Sequence, residues 1–271
     1  MAIKWVDRVP TYANRVRIVP EDGSAPYYAT MERADQPTVV GTPINAANLN
    51  AMQEASGLTA HRTVYVATTG SNTTGDGSQT APYATINKAL STIPKNLNGF
   101  VATVNIAAGT YDENVYAAYF GNGLLRITGT VGDVVTVNKL EFFNVKYVEI
   151  DSISFNVQNQ FLHVNASSVR VLTPFSASGG VYGVYATNFS DVLFSAPSTI
   201  SNTTNYGVVA TSLSNIYIVE FLGSGNKMNI ACTLGGVCVL GKDSSTTSSA
   251  QYFTDTGGRI LAGTQIQIPN Y

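Results

Sequence analysis

Glu149 and Asp151 are the two side chains whose types and spacing best suit acid–base chemistry. A glycoside hydrolase sets two carboxylates across the scissile bond. Residues two apart on a strand share a face, with backbone positions roughly 6.5 to 7 Å apart. That permits an acid and base pair, although a solvated strand face is the commoner origin of such a pair. The remaining carboxylates of the repeated region are Asp112, Glu113, Asp133, Glu141, Asp191 and Glu220. None is expected to stack directly on another, so hard oxygen ligands for a calcium ion do not converge. His61 and His163 are far apart, and Cys232 and Cys238 lack metal spacing. The two cysteines read as reduced and at least partly buried. No P-loop, dinucleotide fingerprint or Ser-His-Asp grouping stands out. No metal and no cofactor are expected.

Aromatic residues offer a different chemistry. Tyr116, Tyr119, Phe120, Phe142, Phe143, Tyr147, Tyr182, Tyr185 and Tyr206 fall in or beside expected turns. A tyrosine there can stack on a sugar ring and present a hydroxyl, or pack between coils or subunits. Tyr182, Tyr185 and Tyr206 are the candidate ligand contacts. Their segment, Tyr182-Gly183-Val184-Tyr185-Ala186-Thr187, returns 24 residues later as Tyr206-Gly207-Val208-Val209-Ala210-Thr211.

These residues must be positioned by something regular, and the chain supplies it. Val104, Leu125, Val148, Val169, Val192, Ile216 and Val237 recur every 21 to 24 residues. Two residues on stand Ile106, Ile127, Ile150, Val171, Phe194, Ile218 and Val239. Residues i and i+2 of a strand point the same way, so seven strands present the same inward pair. A period in the low twenties marks a solenoid. Leucine-rich repeats share it, but a regular Leu and Asn pattern is missing. β-Branched and aromatic runs bounded by Ser, Asn, Thr and Gly favour strands and turns. The position three residues before each first member is also apolar in six of seven repeats: Val101, Val145, Ala166, Phe189, Leu213 and Leu234, with Asn122 the exception.

Between the inward pairs lie Asn105, Arg126, Glu149, Arg170, Leu193, Tyr217 and Cys238. Arg126, Glu149 and Arg170 would fall on successive rungs and attract one another, which gives Glu149 a structural task. Leu193, Tyr217 and Cys238 make the far end of this stripe apolar, and a subunit interface is expected there.

Composition narrows the function classes. The 271 residues carry a net charge of −2, and only 12% are charged. That balance gives no general attraction for nucleic acid. The first residues lack the apolar core of a signal peptide, and no apolar run of 18 residues exists, so membrane insertion is not expected. Work outside a cell would require a route other than a cleaved signal.

Four segments follow. Residues 1–63, with Pro10, Pro20, Pro26, Pro37 and Pro43, read as an extended attachment arm with short strands and one helix near Asn45 to Ser56. Residues 64–100 hold a lead-in strand, Val64-Tyr65-Val66, and a helix. Ile86, Ala89, Leu90 and Ile93 sit at i, i+3, i+4 and i+7, with Thr85 as N-cap and Pro94 as the stop. This helix is placed to cover the open end of the solenoid. Coils occupy 101–240. Residues 241–271 are expected to cap the other end or join an oligomer.

Two resemblances extend this reading. Tyr65-Val66-Ala67, Gly70-Ser71, Gly75-Asp76-Gly77, Pro82-Tyr83-Ala84-Thr85-Ile86, Lys88-Ala89-Leu90 and Gly109-Thr110-Tyr111, with Glu113 and Val115, look like the opening segment of pectate-lyase-like right-handed β-helix proteins. The resemblance implies an all-β fold, a right-handed parallel β-helix capped by a short helix. It does not imply an activity, because many non-enzymes share that fold. The family's calcium cluster has no evident match here. Trp5-Val6-Asp7-Arg8-Val9 and Gly41-Thr42-Pro43-Ile44-Asn45-Ala46-Ala47-Asn48-Leu49-Asn50 are similar to the arms of tail-fibre and receptor-binding proteins of phages and prophages of Gram-positive bacteria.

That second resemblance implies tail or baseplate attachment through Trp5, Asp7, Arg8, Asn45, Asn48 and Asn50, and a homotrimer. It also implies residence in a virion or tail-like particle assembled in the bacterial cytoplasm. The resulting expectation is a fibre that binds a bacterial surface polysaccharide, favoured over an enzyme. The alternatives are a tail-spike depolymerase using Glu149 and Asp151, and a purely structural tail component.

Overall fold

The computed structural model describes residues 57–158, 162–245 and 250–262, together with two short strands near the N-terminus. The chain divides into two units, Met1–Ser56 and Gly57–Tyr271. In the first, Arg15–Ile18 pairs antiparallel with Tyr27–Thr30. The helix expected near Asn45 to Ser56 and the six attachment residues lie outside the described residues.

The second unit is a right-handed parallel β-helix of about seven turns. Three faces build it. Face A stacks segments of nine strands, from Arg62–Val66 through Val101–Ile106 to Arg259–Ala262. Eight steps of strand spacing give this face a length of about 38 Å. Face B runs from Gly109 to Asp243 and face C from Asn114 to Thr254, each in seven segments. Every pairing in this unit is parallel, as expected when one coil simply lies on the next.

The inward columns are continuous. One runs Ala102, Leu125, Val148, Val169, Val192, Ile216, Cys238 and Ile260. Its neighbour runs Val104, Ile127, Ile150, Val171, Phe194, Ile218 and Leu240, all 0 or 1% exposed. On face B, Phe155 and Phe175 stack as neighbours in register, and Phe175 also meets Phe194 of face A at 5.3 Å. Burying such rings, with the aliphatic columns beside them, drives the closing of these coils.

The five central rungs follow the register expected from sequence, and the two ends differ. Leu125 lies opposite Ala102 rather than Val104. At the far end the inward pair is Cys238 and Leu240, while Val237 lies opposite Asn215. A strand alternates its faces, so this one-residue offset exchanges inside for outside. Cys238, expected on the outer stripe, is therefore 0% exposed in the core, and Val239 takes the outer position. Both cysteines are free and buried. Burial, with the adjacent Cys232 thiol, pushes the Cys238 thiol well above its ordinary range.

The ladder also runs past residue 240. Ala250–Thr254 pairs with Met228–Cys232, and Arg259–Ala262 with Val237–Asp243, adding strands to faces C and A.

Helix α1 spans Ile86–Ser91 and is capped by Thr85, whose hydroxyl accepts from the Lys88 N–H. The Glu113 carboxylate accepts from the N–H groups of Ile86 and Asn87 at 2.7 and 3.1 Å. A carboxylate there answers the unpaired donors and the partial positive charge of a helix start. Ile86, Ala89 and Leu90 are buried in the common core.

Candidate functional site

The corner leading from face C to face A sets up the most exposed chemistry. Asn98, Asn122, Asn144, Ala166, Asn188, Ser212, Leu234 and Thr256 turn the chain there with φ between 41° and 57°. Asparagine tolerates this left-handed backbone better than other residues with side chains. Inside the corner, Ser167, Ser190 and Ser214 form a ladder of hydroxyls. The Val145, Ser167 and Ser190 N–H groups donate to the hydroxyls of Ser167, Ser190 and Ser214. Gly236 follows in the next coil, where a Cβ would collide with the Ala210 carbonyl.

This backbone pushes large side chains outward. Tyr119 is 58% exposed, Tyr147 52% and Phe189 72%. Ala166, Phe189, Leu213 and Leu234, recurrent apolar positions of the sequence, are all exposed at this corner. Phe189 and Leu213 both sit at φ 60°, an uncommon conformation for bulky residues. Of that set of seven, Val145 is buried.

Two shallow grooves share this corner. One, of about 570 Å³, is lined by Asn122, Lys146, Tyr147, Glu149, Ser168 and Arg170 among others. The other, of about 640 Å³, includes Tyr119, Lys146, Tyr147, Ser168, Phe189 and Asp191. Lys146, Tyr147 and Ser168 belong to both. The Lys146 Nζ lies 5.5 Å from the centre of the Tyr147 ring, within cation–π reach.

The charged column on face A runs Arg126, Glu149, Arg170, Leu193, Tyr217, Val239 and Leu261. Arg126 Nε donates to Glu149 Oε1 at 2.9 Å. Arg170 lies on the other side of Glu149 in register, yet its guanidinium makes no ion pair or hydrogen bond among the described residues. Leu193 and Tyr217 occupy the outward positions expected of them and are half-buried. Asn105 belongs two residues further along the strand, in the column of Tyr65, Thr128 and Asp151.

The two catalytic candidates part company here. Among the described residues that line the first groove, Glu149 is the only carboxylate, and it is ion-paired. Asp151 lines neither groove and lies opposite Thr128. Asp191 borders the second groove and accepts from the Asn215 amide at 2.8 Å. No group of His, Cys, Asp or Glu positioned to hold a metal ion occurs among the described residues.

Tyr182, Tyr185 and Tyr206 are brought together on face C, but as a stack. Tyr182 lies on Tyr185 at 5.0 Å and on Tyr206 at 6.2 Å, nearly parallel to it at 4°. His163 continues the stack at 5.4 Å from Tyr185, and Phe253 at 6.4 Å from Tyr206. The three tyrosine rings face one another and are half-buried, which leaves less ring surface for a ligand than Tyr147 offers.

Beside this stack is a polar network that spacing alone did not reveal. Glu141 Oε2 accepts from Lys139 Nζ at 2.6 Å, and Glu141 Oε1 lies 2.9 Å from His163 Nδ1. Burial raises the Glu141 pKa, but the hydrogen bonds from Lys139 and His163 outweigh it, and the net shift is downward. Burial also lowers the His163 pKa, despite the attraction of Glu141. The arrangement therefore favours the ionised form of Glu141, held by Lys139, and the neutral form of the His163 imidazole beside it.

Compared with protein-family models, curated proteins and solved structures, the chain matches none.

Proposed function

We propose that this protein is a surface-binding fibre component that holds a glycan in the corner groove of its β-helix. One observation carries the reading: Tyr119, Tyr147 and Phe189 expose their rings along one corner of stacked coils, beside polar and charged groups. Exposed rings offer sugars an apolar platform, while neighbouring donors and acceptors orient the hydroxyls. A rigid rod repeats such positions at fixed spacing and costs little ordering on binding.

The finer parts of the proposal rest on the sequence resemblances. The N-terminal arm would attach the rod to a phage tail or tail-like particle. The rod would act as a homotrimer on a bacterial surface polysaccharide. Three weak sites held together would then act through avidity.

A binding role is favoured over depolymerisation because the corner's two carboxylates, Glu149 and Asp191, line different grooves and Glu149 is ion-paired, where hydrolysis calls for two facing one bond. The test is to incubate purified protein with envelope polysaccharide from hosts that it decorates. Retention of the polysaccharide without release of reducing ends supports adhesion. Release that disappears in Glu149→Gln would establish the depolymerase instead. Normal particle incorporation with no host bound would leave a structural component.

A further inference from the structure

We infer that the corner groove selects an anionic glycan, with the negative group held between Arg170 and Lys146 and a sugar ring on Tyr147. The inference rests on the glycan-binding reading and adds the charge class of the ligand. Three observations converge on it. Glu149 stands between two arginines in register but closes on only one of them, Arg126, at 2.9 Å. Arg170 is left exposed on the groove wall with no ion pair or side-chain hydrogen bond among the described residues. Lys146, on the same groove, likewise makes no ion pair there and lies over the Tyr147 ring.

The charge of the groove follows. Its lining contains Lys146, Arg170 and Glu149, and Glu149 is neutralised from the neighbouring coil by Arg126. Two cations outside any ion pair among the described residues therefore flank an exposed ring, while Asp191, on the adjoining groove, is tied to the Asn215 amide. A guanidinium presents a planar fork that fits a carboxylate or a phosphate through two parallel hydrogen bonds. An ammonium beside it adds a point charge whose direction adapts to either group. A uronic acid and a phosphate-bearing sugar or polyol share this chemistry, and the geometry accepts both.

The test is calorimetric titration of the whole protein with three probes: a hyaluronan decasaccharide, a glycerol-phosphate oligomer and a dextran oligosaccharide. The expected result is that at least one anionic probe binds tenfold or more tightly than dextran, and that its affinity falls with added salt. Whichever anionic probe binds identifies the source of the charge. Arg170→Gln should weaken that probe roughly tenfold, the scale of a charge-assisted hydrogen bond. Dextran binding should not change. Glu149→Gln should tighten the anionic probe, because it removes the carboxylate that lines the groove beside Arg170.

Arg170 is exposed, so its variant is expected to fold, and a thermal melt checks this. Dextran bound as tightly as the anionic probes, or an Arg170→Gln variant unchanged toward them, overturns the anionic assignment and leaves glycan adhesion standing. Failure of all three probes, together with failure to retain any envelope glycan, overturns both.

Discussion

The Arg126 guanidinium and the Glu149 carboxylate, 23 residues apart in sequence, meet at 2.9 Å across adjacent coils. Coil stacking alone brings them together, and the pair ties face A to the edge of the groove. The arginine side chain is 40% exposed and the carboxylate 15%. Solvent screening keeps such a pair near 0 to 1 kcal/mol. Arg126→Ala should therefore lower stability by no more than about 1 kcal/mol in a denaturant melt. Its larger effect should appear in binding, where an unpaired Glu149 would repel an anionic probe.

Phe175 lies over Phe155 and against Phe194, where two faces meet. Its side chain is almost fully buried. Phe175→Ala should cost about 3 to 5 kcal/mol through lost contacts and the cavity left behind. Urea unfolding reads this directly. A loss below about 1 kcal/mol would mean that neighbouring coils collapse into the gap.

Tyr147 and Tyr206 should separate binding from stability. Tyr206→Ala removes the centre of a stack between Tyr182 and Phe253, so it should lower the melting temperature. Tyr147 is exposed beside the groove, so Tyr147→Ala should leave the melt within about 0.5 kcal/mol of the parent. Its glycan affinity should fall. Calorimetry and thermal unfolding on both variants check the contrast.

Phe189 carries a bulky side chain on a left-handed backbone at φ 60°. That conformation costs a residue of this kind roughly 1 kcal/mol relative to one suited to it. Phe189→Asn should therefore raise stability slightly and weaken glycan binding. A variant that loses both would show that the ring supports the fold.

The Glu141 network predicts acid sensitivity. His163 has a folded pKa below its ordinary 6.5, so the unfolded chain takes up its proton first as pH falls. Stability should decline as pH falls below about 6.5 until His163 itself protonates in the folded state. Glu141, also lowered from 4.5, adds stability that is lost as pH falls through its folded pKa. His163→Gln should flatten the upper part of this decline, as read from melting temperature between pH 7 and pH 4.5.

The architecture was legible because it depends on period and alternation. The pair from Val148 and Ile150 to Ile216 and Ile218 keeps the expected register throughout. The ends were harder. The strand at Val237–Asp243 is apolar at Val237, Cys238, Val239 and Leu240 in succession, so alternation could not tell its two faces apart. The corner was hard to place for a related reason: Phe189, Leu213 and Leu234 are apolar and periodic, yet backbone turning carries them outward. Asn144 and Asn188, 44 residues apart, were the signal that could have marked that corner. Glu149 was legible as a member of a charged column, but its choice of Arg126 over Arg170 depends on side-chain geometry.

The most direct test of the account is equilibrium binding of the parent and Tyr147→Ala to an envelope glycan that the parent retains. A roughly tenfold loss of affinity, with an unchanged melt, is the predicted result for a ring that stacks on sugar. Equal affinity in the two proteins would contradict the corner groove as the binding site.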